Sequence, residues 1–198
     1  MSTKEKAVNQ ITEGVIWKQL LFFFFPIMLG TLFQQLYNTA DAVVVGRFVG
    51  TRALAAVGGS TGQMVNLIVG FFVGLSSGAT VIIARYYGAK NKKDLNDTLH
   101  TAAALSVAGG ILITIAGILF TPSMLKIMKT PADVMADSAT YLRIYFGGII
   151  FVFIYNVGSA ILRAVGDSTR PLYFLIVCCF INIFLDVLLV VGFNMGVA

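Results

Sequence analysis

Five long apolar runs, each closed by charged or turn-forming residues, divide the chain into segments at about 17–49, 53–84, 97–124, 141–162 and 171–193. Arg85 and the polar sequence A-K-N-K-K-D close the second run, Pro122 and Lys126 the third, and L-R-A-V-G-D-S-T-R-P-L separates the last two. Each run is long enough to cross a hydrocarbon core of about 30 Å as a helix rising about 1.5 Å per residue. The pattern predicts an all-α integral membrane protein with five transmembrane helices behind a polar amino-terminal segment, residues 1–16. That segment has no small-residue cleavage site before the first run, so no signal peptide is expected and the first span itself directs insertion.

The first run is the most informative. As one helix it is roughly 50 Å long, more than the core requires, so it must tilt, bend or begin among the headgroups. Pro26 supplies a place to bend, with Gly30 four residues on. Asp41 lies inside the apolar part, where a carboxylate costs a few kcal/mol or more unless it is paired, hydrated or protonated.

Composition then excludes the soluble classes. With 58% hydrophobic and 12% charged residues, and a mean hydropathy of +0.87, the chain cannot be a soluble domain around one core. The net charge of +5 is read as a topology signal and not as a nucleic-acid footprint. With the amino terminus inside, the inner connections carry Lys4, Lys6, Lys18, Arg85, Lys90, Lys92, Lys93, Arg163 and Arg170. The outer ones carry only Arg47, Arg52, Lys126 and Lys129. This bias predicts a multi-pass protein of the cytoplasmic membrane with its amino terminus in the cytoplasm. Cys178 and Cys179 are neighbours on one helix, point apart and read as packing residues.

Of the nine acids, only Asp41 and Asp186 fall within spans. Counted from the outer ends of their runs they lie about 12 Å and 9 Å deep, a shared level. Gln34, Asn38 and Asp41 recur at i, i+4 and i+7, with Tyr37 four residues before Asp41, and Asn182 precedes Asp186 by four. Asn156 and Ser159 add polarity at mid-depth on the fourth span. Taken singly, these side chains read equally well as interhelical hydrogen bonds. Two acids at one depth point instead to a cation-coupling site, because a carboxyl withdrawn from water can exchange a proton or bind Na⁺.

Other signals are weaker. Gly58, Gly62, Asn66, Gly70, Gly74 and Gly78 fall at every fourth residue and predict close helix packing. Asp167 or Ser168 is placed to cap the fifth helix, with Pro171 in its first turn. His100 is a lone histidine near a helix end and reads as a surface or packing residue. No ligand cluster, nucleophile set or phosphate loop is present, so no enzyme, metal centre or cofactor is expected. The contexts N-T-A-D and I-F-L-D lack the Gly-x-Gly-Asp of intramembrane aspartyl proteases.

Three stretches together resemble the multidrug and toxic compound extrusion (MATE) family, in its bacterial cation-coupled branch: P-I-M-L-G-T-L-F-Q-Q-L-Y-N-T-A-D-A-V-V-V-G-R-F-V-G from Pro26, the L-R-A-V-G-D-S-T-R-P-L turn, and N-I-F-L-D from Asn182 to Asp186. The resemblance implies an antiporter with two lobes of six helices that exports organic cations or drugs across the inner membrane in exchange for H⁺ or Na⁺. Asp41, Asp186 and Asn182 would form the coupling site, with Na⁺ at the two acids if Na⁺ is the ion. Gln34, Tyr37, Asn38 and Asn156 would line the substrate cavity, and Pro26 and Gly30 would act as the hinge. Residues 17–198 would then be a partial amino-terminal lobe. Its sixth helix would begin near Met195, and the second lobe, or a second copy, would be a missing partner. A lipid or oligosaccharide flippase of the same superfamily and a non-transporting membrane assembly are the alternatives.

Overall fold

The computed structural model describes residues 15–193. Nearly all of the expected amino-terminal segment and the expected start of a sixth helix near Met195 lie outside the described residues. Five helices long and apolar enough to cross a membrane follow one another: Ile16–Val49, Thr51–Gly88, Lys92–Ile127, Met135–Ala164 and Thr169–Gly192. The first consists of α1 (Ile16–Val44) and a π-helical turn, Val45–Val49. The second is broken at Gly59 into α2 (Thr51–Gly58) and α3 (Ser60–Gly88). Then come α4 (Lys92–Ile127), α5 (Met135–Ala164) and α6 (Thr169–Asp186), the last running into a second π turn, Val187–Gly192.

The helices outrun the apolar segments at their polar ends, where caps start them. Asn91 precedes α4, accepts from the Asp94 amide at 3.3 Å and donates through Nδ2 to Asp94 Oδ2 at 2.8 Å. Asp167 Oδ1 accepts from the amides of Thr169 and Arg170 at 3.1 and 3.0 Å and so starts α6. Arg170 returns to the same carboxylate at 3.1 Å. Gly50, at φ 112°, carries the chain from the first span into the second in a backbone region that favours glycine.

The core is built on α5. Its buried residues Ser138, Leu142, Phe146, Ile149, Phe153, Val157 and Ala160 recur every three or four positions and form one stripe. Facing it are Met64 and Phe72 of α3, and Ala102 and Leu125 of α4. The Phe72 and Phe153 rings stack with centroids 4.1 Å apart. Glycines of α4 permit the approach: a Cβ on Gly110 would lie 2.8 Å from Ile150 Cγ1, and one on Gly117 would run into the Phe146 ring. α1 packs chiefly on α6, with Gly30 buried against Leu172 and Leu175. The outward surface is rich in large apolar side chains, among them Phe22, Leu67, Phe71, Phe151 and Phe184, as a lipid-facing protein requires.

The glycine stripe corrects an expectation. A Cβ added at Gly58, Gly70, Gly74 or Gly78 would meet no other atom within 4 Å. The spacing put them on one face, but that face is turned away from the bundle. Close packing belongs to α4, whose small residues Ala102, Ser106, Gly110, Gly117 and Thr121 are the ones buried in the bundle.

Candidate functional site

The carboxy-terminal halves of α1 and α6 run side by side and bring Asp41 and Asp186 together, so that the two carboxyls interact directly. Both residues are partly buried, and Asn182 stands one turn before Asp186 on the same face of α6. Three oxygens here, Asp41 Oδ1, Asn182 Oδ1 and Asp186 Oδ2, are buried with no hydrogen-bond partner among the described residues. Buried polar atoms are ordinarily satisfied, so three orphaned acceptors on two facing helices leave room for a donor, which water, a proton or a cation can supply. All three are oxygens, the donor set that suits a proton or a hard monovalent ion. Neither Asp41 nor Asp186 takes part in the ion pairs formed among the described residues.

Both helices change character beside the acids. The π turn after α1 starts four residues beyond Asp41, and the one after α6 starts immediately beyond Asp186. The two turns touch each other. Single π turns inside helices are frequent at functional sites. Here they close the carboxy-terminal end of the helix pair.

Two tyrosines also lie near the acids. Tyr37 is near Asp41, and Tyr141 at the start of α5 is near both carboxyls. Tyr141 stacks on Tyr145 with centroids 6.3 Å apart. Tyr141 and Tyr145 were not expected here: at a helix end tyrosine reads as a membrane-interface anchor, and only their i, i+4 spacing hinted at a shared face. Gln34 interacts with Tyr37, while Asn38 Nδ2 donates to Gln35 Oε1 at 3.4 Å. Both amides are exposed on the described lobe. Asn156 Nδ2 donates to Val152 O of its own helix at 2.8 Å. α1 runs through Pro26 as one continuous helix, with Gly30 at its contact with α6.

No group of three or more His, Cys, Asp or Glu that could hold a metal ion occurs among the described residues. Five helices long and apolar enough to cross a membrane, with facing acids on the first and the last, define a multi-pass membrane protein. A family model described as MatE matches residues 26–188, and the chain belongs to the MATE family. The probable multidrug resistance protein YoeA of Bacillus subtilis is 34% identical over 192 residues, which cover 96% of this chain and 41% of that one. A crystal structure of a MATE protein in the straight conformation matches with a TM-score of 0.88 at 29% identity, over 96% of this chain and 42% of that one. A MATE structure in the bent conformation matches with a TM-score of 0.86 over the same shares, also at 29% identity. The chain thus spans less than half the length of these relatives.

Proposed function

We propose that residues 17–198 form most of the amino-terminal lobe of a cation-coupled multidrug antiporter, with Asp41, Asp186 and Asn182 as the coupling site. The observation that carries this reading is the contact between two intramembrane carboxyls beside three unpartnered oxygens. Two carboxylates in contact away from bulk water repel each other, so the pair is stable only with a proton or a cation between them. Loading or unloading that ion changes the charge between α1 and α6. Transport follows if the ion and the drug favour different arrangements of the two helices.

Pro26 and Gly30 are the hinge through which that change bends α1. Support comes from the relatives solved in straight and bent conformations, and from Pro26, which leaves the helix without one backbone hydrogen bond. Pro26 lies fifteen residues from Asp41, about 22 Å along the helix, so it responds through the rod and not by contact. The exposed amides Gln34 and Asn38 border the substrate cavity with Tyr37 and Asn156, and they are completed by a second lobe that the relatives' greater length supplies. The substrates are organic cations or drugs, the coupling ion is H⁺ or Na⁺, and the amino terminus lies in the cytoplasm, as the basic inner connections indicate.

The test is flux in proteoliposomes holding the transporter that carries this lobe. A fluorescent organic cation should move against its gradient when a pH or a Na⁺ gradient is imposed, and the effective gradient identifies the ion. Absence of movement under both would overturn the antiporter reading.

A further inference from the structure

α2 is a short helix with little of its own to hold it. It has eight residues, Thr51–Gly58, and its buried side chains are Ala53 and Ala56, which offer one methyl group each. A glycine stands at each end. Gly50 enters at φ 112°, and a Cβ at Gly59 would lie 2.7 Å from Ala55 O, so neither joint accepts an ordinary side chain without strain. A helix so jointed and so thinly buried takes its position from the polar contacts it makes.

Those contacts run to the start of α5. Arg52 Nη2 donates to Asp133 O, Arg52 Nε lies 3.8 Å from Asp137 Oδ2, and Ser138 Oγ donates to Ala56 O at 3.1 Å. Taken alone, an exposed ion pair at this distance contributes little. Here one guanidinium spans two groups, a carbonyl before α5 and a carboxylate in its first turn, while Val134 between them supplies no side-chain cap. α5 itself is a firm support, since Leu142 and Phe146 in its next two turns are buried in the core.

The other side of α2 meets the π turn Val45–Val49. Leu54, two residues from Arg52 and so directed away from it, rests on that turn: its Cδ2 would lie 3.2 Å from a Cβ at Gly46. The turn begins four residues beyond Asp41 and touches the second π turn, which begins immediately beyond Asp186. Arg52, Leu54 and Gly46 therefore form one run of contacts from the fixed helix α5 to the acid-bearing ends of α1 and α6. We infer, on the reading of Asp41 and Asp186 as the coupling site, that Arg52 is a positioning residue for that site: it braces α2 on α5 so that Leu54 holds the two π turns, and with them the acids, together.

Spin labels at Phe48→Cys and Val191→Cys, one on each π turn and both exposed, report the spacing through their dipolar interaction. They are placed in the transporter that carries this lobe, with the other cysteines, Cys178 and Cys179 among them, replaced by alanine. With Arg52 in place one short distance should dominate. Arg52→Gln should raise the ratio of separated to paired turns about fivefold, the effect of one lost hydrogen bond on a two-state equilibrium. Leu54→Ala should do the same with the Arg52 contacts intact, whereas Arg143→Gln, at an exposed arginine of α5 outside the run, should change nothing. In proteoliposomes, Arg52→Gln should raise the H⁺ or Na⁺ concentration for half-maximal efflux by a similar factor. An unchanged ratio in Arg52→Gln or Leu54→Ala, an equal rise in Arg143→Gln, or an unchanged ion requirement despite separated turns would overturn the role of Arg52. Separation of the turns in Arg52→Gln, with no ion-driven efflux even from the protein that retains Arg52, would uphold the brace and overturn the coupling reading instead.

Discussion

Asp41 and Asp186 sit on helices that pack on each other, so a change of charge on either is felt by both. On the proposed reading, removing either acid already removes the ion held between them. The double variant Asp41→Asn/Asp186→Asn is therefore expected to transport no worse than the poorer single variant, where independent sites would show additive losses; initial efflux rates of the three variants measure this. The acids and Asn182 were legible in the sequence because a carboxyl in a hydrocarbon run is costly and so carries information. Tyr141 was not, since a tyrosine at a membrane surface costs nothing and needs no explanation. Gln34 and Asn38 share a helical face with Asp41 by spacing, but a face spans enough of the helix for its amides to bond to Tyr37 and Gln35 instead.

Among the elements, α4 and α3 make opposite uses of glycine. Gly117 admits the Phe146 ring, whereas Gly74 has open space around it. Gly117→Ala is expected to lose about 1–3 kcal/mol through overpacking. Gly74→Ala is expected to be neutral, or to gain up to about 1 kcal/mol from helix propensity; thermal unfolding in detergent distinguishes the two. A second contact joins α2 to α5, where Ser138 Oγ donates to Ala56 O at 3.1 Å and both residues are buried. Ser138→Ala leaves that carbonyl with one partner fewer and should cost about 1 kcal/mol in the same assay. Helix existence was read correctly from the apolar runs, and so was the cap of α6 at Asp167, but α4 starts earlier than its run, at a cap on Asn91. The stripe of every-fourth glycines was misread because periodicity reports which residues share a face, not which way the face turns.

For the whole molecule, the five apolar runs pointed to an all-α protein and composition to a membrane one, and the order and spacing of three motifs pointed to the MATE family, to which the chain belongs. What one lobe does within a longer transporter cannot be written in its periodicity, because coupling depends on how it moves against the rest. The central claim, that the Asp41–Asp186 pair couples an ion to drug movement, is tested most directly by Asp41→Asn in the transporter that carries this lobe. In proteoliposomes, with folding checked by thermal unfolding, the variant should still bind a fluorescent organic cation but show gradient-driven flux no greater than protein-free vesicles. Undiminished gradient-driven flux from folded Asp41→Asn protein would contradict the account.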